Sequence, residues 1–242
     1  MITSFLTKQG RGASRGRHPF RIWAARLLAC LAGGGAALAA VGAAAVPAHA
    51  SQPAHVTAYV ANSFGNQVAA IDTTTGTVMT MATVGSRPGA VAVTPDGTTA
   101  YVATCGGVVP VDTATNTAGP VIKGTKGAGD IAVTPDGKTA YLTYLQSGLV
   151  CSSSTPDQVT AVDTTTNTVI KQIPWKPGTA WDTSPIVISP DSKTAYLAST
   201  AGTLTPLDTA TNALGKPIKL GFQAENGNAY LAITPEIGRA HV

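Results

Sequence analysis

Charged residues are scarce in this sequence: Asp, Glu, Lys and Arg make up 12% of its 242 residues, and aromatics 5%. Histidine is rarer still, with four. His18 and His49 lie in the first fifty residues, which leaves His55 and His241. A His-based catalytic triad or metal cage therefore lacks its parts. There is no Gly-x-Ser-x-Gly, no phosphate-binding loop and no Cys-x-x-Cys-His. Cysteine occurs three times, at a spacing that fits no zinc pattern. No stretch beyond residue 50 shows the hydrophobic period of an amphipathic helix. What is plentiful is Thr, Val, Ala and Gly, a composition suited to strands and many turns.

The first fifty residues read as a signal peptide. Lys8, Arg11, Arg15, Arg17, Arg21 and Arg26 make a basic start with no acid among them. An Ala- and Gly-rich apolar run follows from Leu27 to Val46, then Ala48-His49-Ala50, a small-x-small triplet before Ser51. A run of twenty apolar residues can also span a bilayer. The weak hydrophobicity of Ala and Gly and the position of the triplet favour cleavage, leaving no membrane span. Leu27-Leu28-Ala29-Cys30 has the look of a lipoprotein box, but Arg26 precedes it directly and the apolar run comes after the Cys. No Arg-Arg pair supports the twin-arginine route. Without the signal, ten basic residues face twelve acidic ones, a net charge of −2. That balance gives no electrostatic reason to expect nucleic acid or an anionic membrane as partner.

A fixed-period repeat governs the rest. Four segments follow one template, over 58–97, 100–137, 140–192 and 195–236. Each starts Ala-Tyr, at Tyr59, Tyr101, Tyr141 and Tyr196, with separations of 42, 40 and 55 residues. The third is lengthened by an insertion between Tyr144 and Gln158. Alternation typical of strands is visible in Gln67–Ile71 and Ala90–Val93. Pro95-Asp96-Gly97 and Pro135-Asp136-Gly137 are turn sequences with a mechanism: Pro presets φ, Asp caps the backbone, and Gly takes the left-handed position. A second turn follows each Asp-Thr pair, and only Gly76, Asn116, Asn167 and Asn212 occupy one position in it, residues that tolerate positive φ. Four short strands per unit at this period predict an all-β fold, a β-propeller of four-stranded blades, with about four blades present. The runner-up, a parallel β-solenoid, usually has shorter coils.

Tyr59-Val60-Ala61-Asn62, Val68-x-x-Ile71-Asp72-Thr73, Val84-Gly85, Pro88-Gly89 and Thr94-Pro95-Asp96-Gly97 resemble the YVTN β-propeller repeat, whose family includes the YncE-like proteins. The likeness covers residues 58–236. The second repeat lacks the Pro-Gly before its last strand, and the third ends in Asp191-Ser192 where Gly is expected. The resemblance implies an exported seven-bladed propeller, often at the cell surface, monomeric when complete, and no single activity. Seven blades need roughly 290 residues at the period of such repeats, so the repeats here read as part of a larger ring. Residues 236–242 break the template after Thr234-Pro235 and read as a non-native tail.

Most acids fall at repeated turn positions and read as caps. Residues off the template are more informative. Arg87, Asp130, Trp181, Asp182, Glu225 and Asn228 all precede the strand that ends in the Pro-Asp turn. In the family that strand is the innermost of a blade, so these residues are expected to converge on the channel mouth as ligand-binding residues. The alternative is that they are ordinary solvated loop residues. Asp130, Asp182 and Glu225 have the chemistry of a calcium site, but no metal set or catalytic residue stands out and no cofactor is expected. Cys105 and Cys151 follow the Tyr-bearing strands of adjacent repeats, and Cys151 lies in the insertion. They form either a disulfide pinning the insertion to the neighbouring blade or two buried thiols. Trp175 and Trp181 flank Lys176-Pro177-Gly178 and form either a stacking platform or packing under the insertion. The expected function is a non-enzymatic binding or scaffold module, outside the cell or on its surface, for another protein or a cell-envelope component. A lactonase-like hydrolase is the rival. DNA binding, known among YncE-like relatives, is opposed by the net charge.

Overall fold

The computed structural model describes residues 56–144, 151, 158–176, 185–199, 201–221 and 231–234. All regular structure among them is antiparallel β, with no helix. The first sheet holds β1 (Thr57–Asn62), β2 (Gln67–Asp72) and β3 (Thr77–Thr83). The second runs β4 (Val91–Val93), β5 (Thr99–Thr104), β6 (Gly107–Asp112), β7 (Thr117–Ala118). The third runs β8 (Ala128–Val133), β9 (Thr139–Tyr144), β10 (Gln158–Asp163), β11 (Thr168–Pro174). The fourth runs β12 (Ile186–Ile188), β13 (Thr194–Ser199), β14 (Thr203–Asp208), β15 (Ala213–Leu214), with β16 (Ile218–Lys219) also on β14.

Sequence repeat and sheet are out of phase by one strand. The last strand of each repeat pairs with the first strand of the next: Ala92 lies opposite Tyr101, Ala132 opposite Tyr141 and Val187 opposite Tyr196. The Pro-Asp-Gly turn is the reason. Gly97 donates its N–H to the Thr94 carbonyl at 2.8 Å and Thr94 donates to that of Thr99 at 2.9 Å, so the turn closes a tight hairpin. A hairpin forces its two strands to be neighbours in one sheet, which puts the sheet boundary after β3 rather than after Gly97.

Alternation along each strand sends side chains to opposite faces, and both faces of the middle sheets are buried. Val68, Ala82 and Val84 of the first sheet pack on Ala100, Val102, Val109 and Val111 of the second. Tyr101, Ala103 and Val108 of the second pack on Ala140, Leu142 and Val162 of the third. Tyr141, Val159, Ala161 and Ile173 of the third pack on Ala195, Leu197 and Leu207 of the fourth. Each fully buried Val or Leu contributes about 1.5–3 kcal/mol, so the chain is held together sheet against sheet.

The repeated tyrosines add a polar tie at each junction. Tyr59 donates its hydroxyl to Asn116 Oδ1 at 3.1 Å, Tyr101 to Asn167 Oδ1 at 2.7 Å and Tyr141 to Asn212 Oδ1 at 2.7 Å. Every acceptor is the positive-φ Asn of the next sheet's turn, at φ 53° or 54°. Burial raises the hydroxyls of Tyr101 and Tyr141 to about 12, so both remain donors at any physiological pH.

The outer strands alternate in kind. In the first and third sheets they are seven residues long, opposite Ala70 and Ala161. In the second and fourth, Pro110 and Pro206 take that position, and the outer strand beside them is cut to the two residues of β7 or broken into the two-residue β15 and β16. Proline has no N–H to give the ladder. Its carbonyl is still used, accepting from Gly119 and Gly215 at 2.7 and 2.8 Å.

Candidate functional site

Chain direction gives the sheets two distinct ends. At one end lie the Pro-Asp turns and the Asp-Thr turns, joined to each other: Thr113 donates its N–H to the Thr98 carbonyl at 3.0 Å and its hydroxyl to that of Gly97. The aspartates here each cap a turn through Oδ1. Asp96 Oδ1 accepts from the Thr94 hydroxyl at 2.6 Å and from the Thr98 N–H at 3.0 Å. Asp112, Asp163 and Asp208 each accept the N–H of the residue three positions on, at 2.7–2.8 Å. These bonds hold their carboxyls below the usual aspartate range. A polar recess of about 520 Å³ opens between the turns of the second and third sheets, bordered by Asp96, Asp136 and Thr165. The aspartates around it serve the turns, as the sequence suggested.

The opposite end carries the irregular residues. Arg87 sits in the loop from β3 to β4 at φ 53° and donates its N–H to Asn66 Oδ1 at 3.0 Å. Ser63 donates its hydroxyl to the Pro88 carbonyl, tying the same loop to the β1–β2 turn. The Arg87 side chain is exposed. Beside it, Cys105 donates its N–H to the Ser86 carbonyl at 3.0 Å and accepts from the Gly127 N–H at 3.2 Å. Cys105 is thus the hub linking the loops before β4 and before β8. It is disulfide-bonded to Cys151, with Cα atoms 5.2 Å apart and a sequence separation of 46. Cys151 is buried, so this one residue of the third repeat's insertion is fixed to the residue that follows β5.

Asp130 lies at a β-bulge where β8 meets β9. Its Oδ1 accepts from the Ile131 N–H at 2.9 Å, and its Oδ2 from the Ile186 N–H at 3.1 Å. Ile186 begins β12, so this carboxylate bridges the innermost strands of two sheets. Burial raises its carboxyl above the ordinary aspartate range, and the two amides pull it back only in part. Asp130 therefore lies at the same end of the sheets as Arg87, with one backbone amide on each carboxylate oxygen. No cluster of three His, Cys, Asp or Glu able to hold a metal occurs among the described residues. Trp181, Asp182, Glu225 and Asn228 lie outside the described residues, and with them two of the three carboxylates considered for calcium. Trp175 is buried in the core between the third and fourth sheets, its Nε1 donating to Thr205 Oγ1 at 3.4 Å. It packs rather than presenting a stacking face.

No family model and no curated protein matches the sequence. Solved structures do match. Hydrazine synthase of Kuenenia stuttgartiensis superposes with a TM-score of 0.56 at 28% identity, over 66% of this chain and 45% of that one. A functionally unknown protein from Desulfotomaculum acetoxidans superposes with a TM-score of 0.56 at 20% identity, over 67% of this chain and 51% of that one. The fold is a β-propeller. Its sheets are the blades, and β4, β8 and β12 are the first strands of theirs. The chain spans about half the length of the structures it matches, so the likeness carries architecture and not the activity of either protein.

Proposed function

We propose that the chain is an exported propeller of the YVTN type that acts as a binding or scaffold module, outside the cell or at its surface, with the disulfide-bearing mouth as its binding face. The observation that carries this reading is the asymmetry of the two ends. Aspartates on the turn end follow the repeat and are consumed by it. The mouth collects what departs from the repeat: exposed Arg87, bridging Asp130 and the insertion anchored through Cys151. Irregular loops on a rigid propeller are where recognition is normally built. A disulfide between two repeats suits an oxidising compartment, in keeping with the basic and apolar first fifty residues. Among the described residues Asp130 is the sole carboxylate at the mouth, and its commitment to two amides favours binding over the rival hydrolase.

The partner in this reading is a protein or cell-envelope component, and nucleic acid is not expected at a net charge of −2. The test is co-sedimentation of the exported chain with purified cell-wall material from the producing cells. Retention that falls several-fold in Arg87→Ala and after disulfide reduction supports the reading. Retention of neither the wild type nor the variants refutes it. Mass spectrometry of the exported chain tests the N-terminus, expected at Ser51.

A further inference from the structure

The net charge of −2 hides a separation of charge along the strands. The turn end holds seven aspartates, one in each Pro-Asp or Asp-Thr turn described, against Lys138 and Lys193 alone. Those two lysines already lie 3.9 Å from the aspartates of their own turns. The outer edge has the opposite sign. The segments that follow the turn Asn of the second, third and fourth blades, 117–127, 168–176 and 213–221, carry six lysines and no carboxylate. They are Lys123, Lys126, Lys171, Lys176, Lys216 and Lys219, all exposed.

Their positions repeat. Lys171 and Lys216 stand four residues after Asn167 and Asn212, and Lys123 and Lys219 seven after Asn116 and Asn212. Register puts Lys171 opposite Ala161, at mid-strand, and Lys219 opposite Thr203, the first residue of β14. Lys176 follows the end of β11. The stripe therefore runs along the outer edge, in the half nearer the mouth, across three successive blades. Lysine on a bare edge strand guards a sheet against unwanted pairing, which accounts for Lys171 and Lys219. Lys123, Lys126, Lys176 and Lys216 lie outside strands, where no edge needs guarding. Two of them border recesses at blade junctions. Lys123 borders one of about 440 Å³ with Pro110 and Val169, between the second and third blades. Lys176 borders one of about 420 Å³ with Thr203 and Pro217, between the third and fourth.

We propose that this edge is a binding surface for a flexible polyanion whose charges are phosphates, which goes beyond the proposed function and stands apart from the mouth. The aspartates of the turn end do not cancel it. A six-residue strand spans about 20 Å, while charges in physiological salt are screened beyond about 8 Å, so a polymer at the edge meets the lysines. Lysine binds phosphate as a point charge. The circumference of a propeller is convex. A flexible chain can follow it over three blades, whereas a planar bilayer, or duplex DNA with its stiffness over about 150 base pairs, touches only part of it. Single-stranded nucleic acid stacks its bases on exposed aromatic side chains, and the one aromatic in these segments, Trp175, is buried. A polymer without bases fits the edge best.

Fluorescent long-chain inorganic polyphosphate, titrated with the full chain and followed by anisotropy at rising NaCl, is expected to bind saturably. The slope of log affinity against log salt is expected near about −4, the value for one phosphate neutralised per lysine of the stripe. Lys171→Gln, Lys176→Gln and Lys216→Gln together are expected to halve that slope and to weaken binding at low salt by about tenfold or more. Lys138→Gln with Lys193→Gln removes charge from the opposite end and is expected to change neither. Far-ultraviolet spectra are expected to match the wild type, since every lysine replaced is exposed. Absence of saturable binding overturns the proposal. So does an equal loss in the Lys138 and Lys193 variant, which reduces the effect to overall charge. Tighter binding of poly(dT), duplex DNA or phosphatidylglycerol vesicles than of polyphosphate overturns the choice of polymer. The probe is a defined polymer, so these results are read separately from retention on cell-wall material.

Discussion

Tyr141 Oη lies 2.7 Å from Asn212 Oδ1, across the junction between the third and fourth blades. The same hydroxyl reaches the Thr209 carbonyl at 3.2 Å. A turn residue of one blade is thereby read by a core tyrosine of its neighbour. Tyr141→Phe keeps the ring and removes both bonds, leaving half-buried acceptors without a donor. The expected loss is about 1–3 kcal/mol, measured by urea unfolding. Tyr59→Phe, in a more exposed setting and with one longer bond, is expected to cost less.

Asn167 combines two requirements, a φ of 54° and an acceptor for Tyr101. Glycine meets the first alone and alanine meets neither. Asn167→Ala is expected to lose about 1–2 kcal/mol more than Asn167→Gly, because a Cβ is strained in the left-handed region. Equal losses for the two variants would show that backbone conformation plays no part.

The period, the strands and the turns were legible in the sequence because each has a local cause: alternation, a fixed φ, a capping Asp. The choice of Asn over Gly at residues 116, 167 and 212 was legible only in part. Positive φ explains why those two residue types occur, but the tyrosine that selects Asn sits some 60–70 positions away in the chain, at a separation visible only once the blades pack. Sheet phase could have been read from the Pro-Asp-Gly hairpin, which makes Val93 and Ala100 neighbours; the repeat template, aligned on its tyrosines, obscured it. Asp130 was found because it departs from the template. Its bridge to Ile186 N–H is a tertiary contact with no signature in spacing.

Asp130 and the turn aspartates respond to pH in opposite senses. The Asp130 carboxyl is raised from 3.8 in the fold by desolvation. Its contribution is therefore fully present below that value and is lost as pH rises through the raised value. The turn aspartates, lowered chiefly by hydrogen bonds from Thr and Ser, contribute above 3.8 and lose that contribution as pH falls. Asp130→Asn removes only the first effect. The stability of the wild type relative to this variant is expected to decline as pH rises above 3.8, followed by urea unfolding. A gap independent of pH would show that Asp130 is not desolvated as described.

The Cys105–Cys151 bond closes a loop spanning 46 residues. By loop-closure entropy such a crosslink stabilises by about 4 kcal/mol. Cys105→Ser with Cys151→Ser is expected to lower the melting temperature by several degrees and to release the insertion to proteolysis between residues 145 and 157. Thiol counting on the denatured wild type checks the starting point: the count should rise by two on addition of reductant.

Pro110 and Pro206 each withhold an amide from the outer side of their strand, and the pairing outside them is cut short or broken in two. An extended peptide seeking a sheet to lengthen would find, on every second blade, no donor where its own carbonyl should dock. Fibrillar growth around the circumference is thus interrupted at alternate positions, and the neighbouring long borders are set apart by barriers no side-chain repacking could remove.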